Sequence, residues 1–354
     1  MGNDVPGVME ARYRLLGIQA IPVADGIVIR RGRLRLHVRG DRLPDLLDLM
    51  VRRSAEGNGL TLAGLMAEVE GIRHTALKML FDQLVDERLL VSGDSAEGDE
   101  RPDDVFYWNH GATASIGREN VARVAIAVFG VNHIALPLLG NLRSCGFRSV
   151  TLVDHPALRN LAFFNDRQEL RPEIAAAMAT PPRGLEEWTA ADQRSDCHVV
   201  CSDFGGTDLL RDWNRRCVAT ATKFYPIVLE DEIASLGPLV APGSGPCYEC
   251  LVSRRDANLA EPDLAHAAES HAFFGQAVSG FVQPMARVAA DLAAVDLLKY
   301  FSRTLPGGTL GRLIEVDLMT PALKTRNVLK APRCPVCSPP RSDGGAGHET
   351  TGGG

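Results

Sequence analysis

VARVAIAVFGVNHIALPLLGNLRSCGFRSVTLVDHPALRN, residues 121–160, reads as an apolar strand, a turn opening at Gly130, a helix, and a second strand closing on Asp154. That order makes a βαβ unit with an acidic side chain about twenty positions beyond the turn, as in dinucleotide-binding folds. The turn departs from the pattern. A phosphate-cradling loop has glycines where backbone N–H groups approach the anion, and here the residues are Gly130-Val131-Asn132-His133-Ile134-Ala135. Val131 and His133 are bulky at that approach. Gly130 and Asp154 are therefore the positions of a degenerate cofactor site, in which the fold persists and nucleotide binding is weak or absent.

Downstream, "DCHVVCSDF" and "FYPIVLED" read as strands flanking the helix "LLRDWNRRCVATAT". A helical region from about 262 to 301, interrupted near Pro284, precedes the strands "GRLIEVDLMT" and "LKTRNVL". Alternating strands and helices predict an α/β sheet whose later strands can be antiparallel.

Two Cys-x-x-Cys hooks punctuate this half: "GPCYECLVSRR" at 245–255 and "APRCPVCSPP" at 331–340. Each presents two sulfurs from one tight turn, and two turns brought together make the four-sulfur cage that zinc prefers. Cys247, Cys250, Cys334 and Cys337 are the candidate ligands of a structural zinc. Four cysteines leave no open position for catalysis at the metal. The alternatives are two disulfides or four unrelated buried thiols; disulfides need an oxidising compartment, whereas "MGNDVPGVMEARYRLL" has no apolar segment behind a basic start, so a cytoplasmic location is expected. The remaining cysteines, Cys145, Cys197, Cys201 and Cys217, sit in or beside apolar runs and read as core thiols.

The chain has 354 residues, 45% of them hydrophobic, and a formal net charge of −6. Two domains are expected, without membrane spans and without a general affinity for nucleic acid. The polar, acidic stretch 93–104, "GDSAEGDERPDD", reads as a linker between an N-terminal unit at 11–92 and an α/β unit at 105–338. The Gly-, Pro- and polar-rich residues 339–354 are expected to be disordered.

Residues 11–92 begin with three strand-like segments, "YRLLGIQAI", "GIVIRR" and "RLRLHVRG", followed by three amphipathic helical patterns. This is the content of a small winged-helix-like α+β domain. A winged helix can enter a DNA groove, and the arginines at 30–39 are basic. Yet Asp82, Asp86 and Glu87 on the third helix would repel phosphates. The other reading makes "RLRLHVRG" an edge strand on which an extended peptide adds, its side chains reaching toward the third helix. Leu34, Arg35, Leu36 and Arg39 on the strand, with Lys78, Phe81 and Asp82 on the helix, are then the peptide-binding candidates, and the basic residues favour an acidic peptide. A basic edge that merely blocks aggregation is the structural alternative.

The order βαβ with "TLVD", then "PCYEC", a long helix, "RLIEVDL" and "RCPVC" resembles the ThiF/MoeB type, the fold of ubiquitin-like-protein activating enzymes, over roughly residues 118–340. More closely, "LGPLVAPGSGPCYECL" and "LKAPRCPVC" behind an N-terminal peptide-recognition domain are similar to the ThiF-like partner proteins of thiazole/oxazole-modified peptide biosynthesis. The resemblance implies that the first domain binds a precursor's leader peptide. A separate or fused YcaO-type cyclodehydratase would then use ATP to form azoline rings. It also implies a symmetric homodimer.

Active adenylating relatives carry an Asn-Leu-x-Arg segment after the ribose-binding acid. Here Asn160-Leu161 is followed by Ala162-Phe163-Phe164, without the arginine. The family's Mg²⁺-associated aspartate corresponds to Asp203 in "CSDFGG", where Gly205 and Gly206 replace polar phosphate contacts. Without those charges an acyl-phosphate transition state lacks stabilisation, so ATP is not expected on this chain and no catalytic residue is assigned. The alternative is an ATP-dependent adenylating enzyme acting on a peptide, with Cys217 as acyl acceptor. "NRRCVATA" shows no neighbouring histidine to activate that thiol.

Overall fold

The computed structural model describes residues 10–339, apart from 41, 58, 93–101, 112, 113, 177, 179, 192, 193, 268–279 and 309. The chain divides into two compact units, residues 1–117 and 118–354. Most of the expected linker 93–104 and nearly all of the tail 339–354 lie outside the described residues. Pro102–Asp104, read as linker, instead open the helix Pro102–Asn109.

In the first unit, strands β1 (Tyr13–Leu15), β2 (Gln19–Val23), β3 (Gly26–Arg31) and β4 (Leu34–Arg39) precede the helices Leu43–Ala55, Leu62–Ala67 and His74–Asp86, and β5 (Leu90–Ser92) follows. The segment read as one first strand is two. The chain turns at Gly17, whose carbonyl accepts a hydrogen bond from Arg31 Nη1 at 2.8 Å. This frees β1 to pair with β5, while β2, β3 and β4 form an antiparallel sheet in that order. Gly32 makes the two-residue turn between β3 and β4 with φ +55°, a left-handed conformation that glycine adopts without a Cβ clash. The period-two pattern in β4 holds: Leu36 and Val38 are buried, and Arg35, His37 and Arg39 are exposed. The buried faces of β3 and β4 share one core with Leu46, Leu47, Met50, Leu77, Leu80, Phe81 and Leu84. The middle helix starts at Thr61, whose Oγ1 accepts from Gly64 N at 3.0 Å.

The second unit is built on an eight-stranded sheet. Its strands are β6 (Ala125–Phe129), β7 (Ser149–Asp154), β8 (Arg183–Gly184), β9 (Cys197–Ser202), β10 (Lys223–Glu230), β11 (Ile233–Leu236), β12 (Arg312–Asp317) and β13 (Ala322–Asn327), in the order β13-β12-β11-β10-β9-β6-β7-β8. β8, β7, β6, β9 and β10 are parallel, and β10 to β13 antiparallel, as the alternation of elements predicts. Strand order reverses between β6 and β9, and the crevice at the carboxyl ends of such strands is where doubly wound sheets bind ligands.

The helices Ala135–Ser144 and Gln283–Ser302 belong to one apolar layer of this unit, and residues of Thr207–Ala219 and Tyr248–Asp256 to a second. In Gln283–Ser302 the buried stripe is Ala286, Ala289, Ala290, Ala293, Ala294 and Leu297, a helical spacing of small residues that allows close approach to the sheet. Pro284 lies in the first turn of that helix, and residues 268–279 of the expected helical region lie outside the described residues.

Candidate functional site

The carboxyl-end crevice gathers the expected cofactor residues. Gly130 follows β6, Asp154 ends β7, and Asp203 follows β9. Gly130 has φ +113°, and a Cβ there would lie 2.7 Å from the carbonyl oxygen of Cys201, so only glycine fits this turn. What would be a phosphate cradle is filled from within. Asn132 is fully buried, and its Oδ1 accepts the backbone N–H groups of Ile134 (3.1 Å) and Ala135 (3.0 Å). Its Nδ2 donates to the carbonyls of Cys201 (2.8 Å) and Leu158 (3.1 Å). The N–H groups opening the helix Ala135–Ser144, the natural anion contacts, are thus capped by the chain's own amide.

Asp154 is likewise engaged. Arg159 Nε and Nη2 donate to its two carboxylate oxygens, each at 2.8 Å. The same guanidinium lies over the Phe164 ring, 4.4 Å from its centroid. Asp203 is buried, and its Oδ2 accepts from Asn160 Nδ2 at 2.8 Å and from His133 N at 3.1 Å. Burial pushes its carboxyl above the usual range against these hydrogen bonds. Phe163, at the position where the resemblance implies an arginine, is buried and packs edge-on against His133. The sequence showed the missing glycines and arginine. It did not show that Asn132 bonds to Cys201 and Leu158 or that Arg159 grips Asp154, because each acts through a partner that only folding supplies.

The four hook cysteines converge. Cys247, Cys250, Cys334 and Cys337 place their sulfurs within 4.8 Å of one another. The separations are 3.9 Å for Cys247–Cys250, 3.7 Å for Cys247–Cys334 and 3.5 Å for Cys250–Cys337. A tetrahedron with Zn–S bonds near 2.3 Å has sulfur–sulfur edges of about 3.8 Å, so the donor set fits a four-sulfur zinc site. Its supports were not legible in the sequence. Glu249, inside the first hook, is buried and held bidentately by Arg211, at 3.0 Å to Nε and 2.6 Å to Nη2. Asn214 Oδ1 accepts from Tyr248 N at 3.0 Å, and Ala331 N donates to Cys250 Sγ at 3.4 Å. The first two fix the hook to the helix Thr207–Ala219, and the third adds an N–H···S bond that stabilises a thiolate ligand.

Cys217 does have a histidine beside it, contrary to the sequence expectation. His198 Nδ1 lies 3.3 Å from its sulfur and accepts from Trp213 Nε1 at 3.1 Å. The pair is unsuited to acyl transfer. Burial pushes the Cys217 thiol up to about 12 and His198 down to about 4, so both are neutral at pH 7.

In the first unit β4 is an edge strand of the three-stranded sheet. Leu34 is half-buried and Arg35 exposed, while Arg39 Nε pairs with Asp25 Oδ2 at 3.1 Å. Lys78 and Asp82 pair with each other at 2.7 Å across one helical turn. Phe81 is fully buried and edge-on to Tyr13 at 5.2 Å. Leu36 is 8% exposed. Both are held by the domain's own core.

No protein-family model matches the chain, and no curated protein matches it. Solved structures do. E. coli MccB superposes with a TM-score of 0.65 at 16% identity, covering 93% of this chain and 97% of MccB. MccB with ATP gives 0.64 at 17%, covering 92% and 100%. The heterocyclase TruD gives 0.63 at 14%, covering 93% of this chain and 43% of TruD. Other matching structures hold MccA, among them that of MccB, a microcin C7 biosynthetic enzyme, in complex with N-formylated MccA. The chain therefore has the mixed α/β, ThiF-like fold that it shares with MccB and with part of TruD.

Proposed function

We propose that this chain is a leader-peptide-binding scaffold that delivers a ribosomal precursor peptide to a YcaO-type cyclodehydratase for azoline formation. Residues 11–92 are the winged-helix-like recognition domain in this reading, and the leader adds as a strand along β4. Leu34 and the exposed Arg35 would contact it directly, and Arg39 would exchange Asp25 for an acidic leader residue. The α/β domain docks the partner enzyme as a homodimer. A zinc held by Cys247, Cys250, Cys334 and Cys337 would supply rigidity and no bond-making chemistry.

The observation that carries this reading is the self-filled crevice. Adenylation needs donors aimed at phosphate oxygens. Asn132 caps the helix N-terminus, Arg159 occupies Asp154, and Phe163 stands where a cation would be. The MccB complexes with MccA support a peptide as the bound partner, and TruD supports a heterocyclisation context. ATP–pyrophosphate exchange on the purified chain, with and without the precursor, tests it. Absence of exchange, together with ring formation once a YcaO protein is added, is the expected result; exchange by this chain alone would establish the adenylating alternative.

A further inference from the structure

The opposite rim of the α/β sheet, at the amino ends of its parallel strands, carries two adjoining cavities of about 670 Å³ and 420 Å³ that share Trp188, Arg194 and Ser195 as lining residues. Both volumes lie in the range of small-molecule sites. Arg216 and Lys223 line the larger lobe, and Arg148 and Arg183 the smaller. With Arg194 these are five cations, against one lining carboxylate among the described residues, Asp196. Asp196 Oδ2 accepts from Ala125 N at 2.8 Å. None of the five makes an ion pair within 4.0 Å among the described residues; Arg216 and Lys223 instead lie near the rings of Trp213 and Phe301, at 5.8 Å and 5.9 Å.

Two neutral groups complete the lining. Ser195 Oγ is buried and has no hydrogen-bond partner among the described residues, a situation that costs free energy unless a ligand or water satisfies it. His198 uses Nδ1 as an acceptor from Trp213, which leaves the proton of the neutral ring on Nε2 as a further donor for the cavity it lines. The lobes thus combine unpaired cations with a hydroxyl and an imidazole N–H, a set that matches phosphate oxygens better than a single carboxylate.

We propose that this rim is a binding site for a small phosphate-bearing ligand, with Arg194, Arg216 and Lys223 holding one phosphoryl group and Arg148 and Arg183 reaching a second. It lies at the other end of the strands from Asp154 and Asp203, and does not depend on the leader-binding reading.

Isothermal titration of the full chain with inorganic pyrophosphate tests this. Arg194→Gln combined with Lys223→Gln should weaken binding about tenfold or more, at charge-assisted hydrogen-bond magnitudes. Arg123→Gln, a cation paired with Glu119 outside both cavities, should leave it unchanged. Circular dichroism and zinc content check that the double variant folds. No binding by the wild type at millimolar pyrophosphate, or an equal loss in Arg123→Gln, would overturn the proposal.

Discussion

Arg159 grips Asp154 through two parallel hydrogen bonds of 2.8 Å, so the carboxylate that would hold a ribose is neutralised by a side chain five positions away. Asp154→Ala should therefore leave azoline formation by the reconstituted pair intact. It should lower stability by about 1 kcal/mol, a charge-assisted pair discounted for partial exposure. Paired measurement of ring formation and urea unfolding checks both. Loss of ATP binding to this chain on mutation would argue for a working nucleotide site.

Asn132 makes four hydrogen bonds from a fully buried position. Asn132→Ala leaves two N–H groups and two carbonyls short of a partner, and should cost about 2–4 kcal/mol, above an ordinary helix-cap loss. Chemical denaturation gives the value. A change below about 0.5 kcal/mol would mean that the amide is not the structural plug of the turn.

Much of this was written in the sequence. The run Ala125–Phe129, the turn at Gly130 and the acid at Asp154 specify the parallel half of the sheet locally, and the spacing of the two hooks announces the four-cysteine cluster. The rest depends on distant partners. Nothing near Glu249 announces Arg211, 38 positions earlier, and nothing near Cys217 announces His198. An apolar residue at helical spacing such as Phe81 fits a groove or a core equally well in the sequence, and only packing places it in the core.

The purified protein should contain about one zinc per chain, removable by a strong chelator, and Cys334→Ala should lower both zinc content and the melting temperature. Metal analysis with a thermal scan is sufficient. Zinc-free protein with an unchanged melting curve contradicts a structural metal.

His198 gives stability a pH dependence. Burial holds it near 4 in the fold against an ordinary value of 6.5, so between these values the unfolded chain binds the extra proton. Its contribution is complete above about pH 6.5 and is lost as pH falls toward 4, by up to about 3 kcal/mol. With zinc in excess, wild type should lose more unfolding free energy between pH 6.5 and 4.5 than His198→Asn, which keeps an acceptor for Trp213. Equal slopes would show that His198 is not the group responsible.

Leader capture along β4 is most directly tested by hydrogen–deuterium exchange on the full chain, with and without a leader peptide from a neighbouring reading frame. The account predicts slowed exchange at Leu34–Arg39, weakened together with affinity by Arg35→Glu combined with Arg39→Glu, a cost of about 0.5–2 kcal/mol at exposed-pair magnitudes. Leader binding that leaves Leu34–Arg39 unprotected and slows exchange only around residues 130–160 would contradict it.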